Sequence, residues 1–191
     1  MIPGAGPDVD WEALWAPYDE ATYRQALAWI RPNDVVLDIG AGDLRLARRM
    51  AAMGCKVYAL ERQEALVHQA LEQEALPPNL EVIVGDAVTL PFPLEVTVGV
   101  LLMRHCTHTG VYIKKLQALG ARGLITNARW HLDVEWIDLQ APRLPFDQVP
   151  WGWYACVCGQ VGFLPGPPEA LTEELMLKVH EVAYCPACGG R

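Results

Sequence analysis

The residues most suited to chemistry fall into two groups, one of carboxylates beside glycines and one of paired cysteines. Asp38 sits just ahead of Gly40, Ala41 and Gly42 in the stretch Asp-Val-Val-Leu-Asp-Ile-Gly-Ala-Gly-Asp at 34–43. A tight reversal favours residues that tolerate positive φ, and a ligand approaching bare backbone excludes a Cβ, so this stretch reads as a ligand-binding turn. Two further acids close later apolar runs: Glu61, followed by Arg62, and Asp86, followed by Ala87. A fourth run ends in Met103-Arg104-His105-Cys106-Thr107-His108. A histidine near neutral pKa suits removal of a proton from an oxygen or nitrogen, which makes His105 and His108 candidate bases. The alternative is that they serve only as backbone hydrogen-bonding groups, with Thr107 capping the helix that follows.

The second group is Cys156-Val-Cys158-Gly and Cys185-Pro-Ala-Cys188-Gly, two close pairs about twenty-five residues apart. Four thiolates so arranged match a tetrahedral structural zinc site. The glycine after each pair supports this, because a turn wrapped round a metal needs a residue free of Cβ strain. Disulfides and a redox Cys-x-x-Cys are the rivals, but the second would want a helix to follow it. Gln160–Leu164 and Leu177–Tyr184 read as strands, which gives the outline of a zinc ribbon. Cys55 reads as a small core residue.

The elements that must hold these residues alternate. Residues 1–9 read as a loose arm. Trp11, Leu14, Trp15 and Tyr18 recur with helical spacing from Asp10, and Glu20–Ile30 forms a second helix. The two are expected to pack beside the sheet, with a lid over the ligand as the other arrangement. Strands are expected at Val35–Ile39, Cys55–Leu60, Leu80–Val84, Val96–Met103 and Gly123–Asn127. Helices fall between them, over Leu44–Ala51, Gln63–Glu74 and Gly110–Leu119. His131–Leu139 reads as one more strand. This rhythm predicts an α/β chain with a doubly wound, mainly parallel sheet and helices on both faces. Three regions follow: a main domain over 1–138, a proline-marked connector over 139–150, and a small cysteine module over 151–191.

In such a sheet the ligand lies at the carboxyl ends of the strands, where Asp38, Glu61, Asp86 and Met103 all fall. An acid ending the second strand is placed to accept both ribose hydroxyls, and one ending the third can accept from an exocyclic amine. Together they point to an adenosine-bearing ligand. A dinucleotide turn would carry a third glycine where this chain has Arg45, and a phosphate-binding lysine loop is absent. Asp38 would repel a pyrophosphate and suits a cationic or zwitterionic ligand.

At these residues the chain resembles the class I S-adenosylmethionine-dependent methyltransferases. Val-Leu-Asp-Ile-Gly-Ala-Gly-Asp (36–43) is similar to that family's glycine motif, Tyr-Ala-Leu-Glu (58–61) to its ribose-binding strand end, and Val-Gly-Asp-Ala-Val-Thr-Leu-Pro-Phe (84–92) to its adenine-side segment. The resemblance spans roughly residues 20–128 and implies a Rossmann-like sheet of methyltransferase type. It implies that Asp38 and the Gly40–Gly42 backbone hold the methionine part, that Glu61 binds the ribose, and that Asp86 with the Ala87 amide binds adenine. Arg62 and Met103 join them as cofactor-side residues. The chain departs from the family in carrying Leu44 where a further glycine is common, in lacking Asn-Pro-Pro-Tyr or Asp-Pro-Pro-Tyr after the fourth strand, and in showing no obvious last two strands.

Composition bounds the partners. A net charge of −8 over 191 residues disfavours broad attraction to nucleic acid or anionic membrane. Arg45, Arg48 and Arg49 share one helix, which reads as a solvated face. No apolar run is long enough to span a bilayer, and the start lacks a signal-peptide pattern, so a cytoplasmic protein without a membrane partner is expected. The leading expectation is a methyltransferase using S-adenosylmethionine on an unidentified acceptor, with structural zinc in the tail. The other is a non-catalytic methyltransferase-like binding module whose ribbon contacts protein or nucleic acid. A dinucleotide oxidoreductase ranks third.

Overall fold

The structure, a computed structural model, describes residues 18–129 and 133–189. The arm, most of the first expected helix and His131 lie outside the described residues. The described residues open with helix α1 (Glu20–Leu27), capped by the Asp19 carboxylate, which accepts from the Thr22 N–H at 2.8 Å. Strand β1 (Val35–Ile39) follows, then helix α2 (Arg45–Ala52), strand β2 (Lys56–Glu61), helix α3 (Glu64–Gln73) and strand β3 (Leu80–Val84). Strand β4 (Val98–Leu101), helix α4 (Thr109–Ala118) and strands β5 (Gly123–Thr126) and β6 (Glu135–Asp138) complete the main sheet.

That sheet has the order β3-β2-β1-β4-β5-β6, parallel except for β6. The chain starts in the middle, moves outward to β3, then returns to the far side of β1 at β4. The crevice between the carboxyl ends of β1 and β4 is therefore the switch point where doubly wound sheets bind ligands. Alternation along β1 divides the core. Val36 packs with Tyr23, Met50, Val57 and Ile125 on one face, whereas Leu37 and Ile39 pack with Leu60, Ile113 and Leu124 on the other. Of the arginines on α2, Arg49 pairs with Glu20 at 2.7 Å and Arg48 donates to the carbonyls of Ala70, Glu74 and Ala75. Both therefore tie helices together. The further strand expected within His131–Leu139 is β6, which pairs antiparallel to β5.

The cysteine region forms a second sheet of order β8-β7-β9 from strands β7 (Gly152–Cys156), β8 (Val161–Leu164) and β9 (Val179–Val182). Strand β8 pairs antiparallel to β7, and β9 pairs parallel to it. A parallel neighbour requires a crossover, and a short helix α5 (Glu173–Leu177) supplies it. That helix is capped by Thr172, whose hydroxyl accepts from the Leu175 N–H at 3.2 Å, with Glu173 and Glu174 in its first turn. Leu177, expected to open a strand, closes this helix instead. Leu144, in the proline-marked stretch, donates to the Glu181 carbonyl and accepts from the Ala183 N–H, both at 3.0 Å.

Two seams join the sheets. Arg129, just after β5, reaches Glu135 at 2.8 Å and Glu181 of β9 at 2.6 Å, with its own side chain 1% exposed. Burial by itself would lower its pKa, but the two carboxylates outweigh burial and hold it above its usual value. At the second seam, Gly110 of α4 lies against the Cys158 backbone. Removing one partner of a buried ion cluster leaves the others uncompensated. Arg129→Ala should therefore cost about 3–5 kcal/mol in urea unfolding, and adding Glu181→Gln to it should recover part of the loss.

Candidate functional site at the switch point

The glycine turn is held from beneath by β2. The N–H groups of Gly40 and Ala41 both donate to the Leu60 carbonyl, at 2.8 and 3.1 Å. The Gly42 N–H donates to Glu61 Oε2 at 2.9 Å, and the Gln63 N–H to Glu61 Oε1 at 2.8 Å. All three turn amides are thus engaged with β2. What the turn offers a ligand is bare backbone surface, not a nest of free donors. Gly40 and Gly42 have φ of 73° and 54°, so glycine is needed at both. At Gly40 a Cβ would lie 2.7 Å from the Met103 terminal methyl, which shows that the β4 end closes over the turn. Leu44, the departure from the family pattern, adopts φ 66° and is fully buried.

Asp38 lies at the floor of this crevice, 3% exposed, with Tyr18, Tyr23, Gly40, Gly42 and Leu102 among its other walls. Its Oδ2 is buried and has no hydrogen-bond partner among the described residues. Burial first, then the nearby charges of Glu61 and Asp43, push its pKa up to about 7. Asp43 itself is ion-paired with Arg45. The site is therefore acidic, closed and short of positive charge at its deepest point, an arrangement hostile to phosphate and receptive to an ammonium or sulfonium group.

The other expected cofactor residues line the same sheet edge. The Gly85 N–H donates to the Glu61 carbonyl at 2.9 Å, which brings the β2 and β3 ends together. Asp86 Oδ1 accepts from the Val88 N–H at 2.8 Å, and Ala87 is buried beside it. Arg62 is exposed at the rim. Beyond Met103, His105 stands exposed with φ 63°, and His108 is the exposed N-terminal cap position of α4, with Thr107 Oγ1 3.4 Å from its Nδ1. Thr107 does not cap that helix. Instead Thr109 Oγ1 donates to the Cys106 carbonyl at 3.1 Å.

Sequence reasoning missed the parts played by four residues. Tyr18 and Tyr23 meet edge to face with centroids 6.3 Å apart, and both face the crevice, so the α1 region both packs on the sheet and walls the ligand. The Arg104 guanidinium lies over the Tyr18 ring at 5.3 Å, joining α1 to the β4 loop. Lys115 of α4 donates to the carbonyls of Ala87 and Leu90, each at 2.7 Å, and fixes the loop after β3. A lysine inside an amphipathic helix carries no such signal in sequence.

The four cysteines of the tail converge, with every sulfur within 4.8 Å of the others. Cys156 to Cys188 and Cys158 to Cys185 are each 3.7 Å apart, and Cys185 to Cys188 is 4.0 Å. Four sulfurs at ~2.3 Å from a tetrahedral ion would be about 3.8 Å apart. Gly159 and Gly189, after the two pairs, have φ of 90° and 55°. The Cys185 N–H points at the Cys188 sulfur at 3.4 Å. Burial raises the Cys156 and Cys158 thiol pKa values, an effect that a central cation would reverse.

Residues 36–119 match the methyltransferase domain family. This segment runs from β1 to the end of α4 and contains the glycine turn and both acidic strand ends on which the methyltransferase resemblance rests. A probable ribosomal RNA small subunit methyltransferase A of Methanosarcina mazei is 41% identical over 68 residues, 36% of this chain and 25% of that protein. Its counterpart in Methanococcoides burtonii is 38% identical over 169 residues, covering 77% of this chain and 61% of that protein. A protein-L-isoaspartate O-methyltransferase of Methylorubrum populi is 37% identical over 76 residues, 39% of this chain and 35% of that protein. Among solved structures, a dimethyladenosine transferase from Plasmodium falciparum aligns with TM-score 0.48 and 22% identity over 56% of this chain and 41% of that one. The chain spans between a quarter and about three fifths of the length of the ribosomal RNA methyltransferases named here. No helix among the described residues is long and apolar enough to cross a membrane.

The electrostatics of Asp38 give a direct test. A carboxyl with a folded pKa near 7 binds its proton more tightly folded than unfolded. It therefore favours the fold fully at pH values below its ordinary pKa of 3.8, and that contribution drains away as pH rises to about 7. Asp38→Asn removes the ionisation. In urea unfolding, the stability of the variant relative to the parent should grow by roughly 1.4 kcal/mol per pH unit between pH 5 and 7, then level off.

Proposed function

We propose that this chain transfers a methyl group from S-adenosylmethionine to an acceptor held at the carboxyl edge of β4, and that its four paired cysteines hold one structural zinc ion. The observation that carries the first part is the unpartnered Asp38 Oδ2, buried at the floor of the switch-point crevice under a turn that only glycine permits. The family match over residues 36–119 supports the same reading.

S-adenosylmethionine supplies the methyl group as a sulfonium, and transfer then needs little beyond alignment, water exclusion and an outlet for the acceptor's proton. Asp38 holds the methionine ammonium, whose charge draws the carboxyl into its ionised form. The bare edge of Gly40 to Gly42 admits the methionine chain, and Met103 closes over it. Glu61 keeps one lone pair of each oxygen for the ribose hydroxyls while the others hold the Gly42 and Gln63 amides. Asp86 and the Ala87 amide face the adenine, with Arg62 at the rim. His105 and His108 flank the open end and take the acceptor's proton. The cysteine module follows from residue 151, with the main domain ending near residue 138.

Calorimetry with S-adenosylmethionine, S-adenosylhomocysteine and NAD tests the cofactor. Because ionisation of Asp38 accompanies binding, affinity for S-adenosylmethionine should rise about tenfold per pH unit up to pH 7 and then flatten. Asp38→Asn should weaken binding and abolish that slope. Glu61→Gln, which keeps an acceptor for the turn, should weaken binding at least tenfold. Binding of NAD alone would overturn the reading. Radiolabelled methyl transfer into a cell extract, followed by nuclease or protease digestion, identifies the acceptor class. For the tail, native mass spectrometry should find one zinc per chain, lost in Cys185→Ser. A disulfide among these four residues would refute that part.

A further inference from the structure

We infer that Gly110, together with the Cys156–Gly159 turn resting on it, is a positioning element for the methyl-acceptor side of the site. The inference rests on the function proposed above and extends it to what the cysteine module does there. Gly110 is the second residue of α4, and the residues just before that helix are His105 to His108. A Cβ at Gly110 would lie 2.5 Å from the Cys158 carbonyl oxygen, 2.6 Å from its carbonyl carbon and 2.9 Å from its Cα. These are backbone atoms of a turn between two metal-spaced cysteines, so they have little freedom to yield. The contact is reciprocal. A Cβ at Gly159 would lie 3.3 Å from the Gly110 nitrogen and 3.6 Å from the Thr109 Cβ.

The intervening residue joins the two cores. Val157 packs against the main-sheet cluster containing Tyr112, Ile113 and Leu116, and also against the module cluster of Val149, Cys156, Val182 and Cys185. Gly110 has an ordinary helical φ, so its glycine is not explained by backbone conformation. On helix propensity alone, alanine there would be the better residue. What excludes alanine is the cysteine turn. A loop carrying two exposed histidines, one of them at φ 63°, is thereby backed by a rigid support whose shape the cysteine centre sets.

The test compares Gly110→Ala and Val157→Ala with the parent, and the parent with and without a zinc chelator. The first variant forces the seam apart, and the second loosens it without adding bulk. The seam predicts at least tenfold faster amide hydrogen exchange over residues 105–112 in both variants and in the chelated parent. It also predicts affinity for S-adenosylmethionine within about twofold of the parent, retention of zinc in both variants, and a tenfold or greater loss of kcat for methyl transfer. Exchange over 105–112 that stays at the parent rate in both variants would overturn the inference. So would chelation that loosens only residues 156–188. Failure of the parent to bind S-adenosylmethionine would sink the methyltransferase reading, while the exchange comparison would still report on the seam.

Discussion

The arrangement at the switch point depends on keeping a carboxylate, Asp38, out of water at the end of the central strand. Strand β1 is covered on both faces and paired on both edges, Asp38 standing opposite Ala59 on β2 and Val100 on β4. No solvent reaches it from the sides, and no basic side chain is supplied from within. The chain carries this cost because the neighbouring acid is handled differently. Glu61 is almost as buried, yet both its oxygens accept backbone N–H bonds at the turn. Two carboxylates beside one glycine turn therefore stand in opposite hydrogen-bonding environments. One fixes the backbone, and the other leaves a buried oxygen with no hydrogen-bond partner among the described residues.

The same turn shows how the chain departs from its family without losing the geometry. A leucine in the left-handed region costs roughly 1–2 kcal/mol. Full burial of a leucine side chain returns about 1.5–3 kcal/mol. Leu44 adopts φ 66° and is completely enclosed in the core with Tyr23, Met50 and Val100. The hydrophobic term at least matches the strain, so a position that glycine serves by flexibility is served here by packing. The N-terminus of α2 accordingly begins at Arg45 without a side-chain cap.

Much of this could be read from the sequence because it rests on local signals. The β1 run, the glycines and the acids ending β2 and β3 each reflect a local demand that few residue types meet, so their order revealed the sheet and the edge at which its crevice opens. The cysteine pairs were legible for the same reason. What was hidden depends on contacts between distant segments. Strand β7 carries two aromatics and a glycine with no clean alternation, and it is a strand because β8 and β9 pair with it on either side. Helix α5 had a readable start in Thr172-Glu173-Glu174, but at five residues its periodicity was too short to register. Tyr18 and Lys115 belong to helical patterns that look the same whether they face a ligand crevice or solvent.

Those hidden contacts converge on α4. Its first turn meets the Cys158 backbone, while its middle sends Lys115 to the carbonyls of Ala87 and Leu90 on the loop after β3. Its apolar face, through Ile113 and Leu116, packs under β4 and β5. One helix is thus linked at its first turn to the cysteine turn and in its middle to the loop after β3. The main sheet ends at β6, which is a short edge, and Arg129 binds that edge to β9 through Glu135 and Glu181. The cysteine module is thus tied to the β6 edge of the main sheet. Its metal-spaced turn lies where a shift of the backbone would be passed to the histidine loop without first loosening the crevice that holds Asp38.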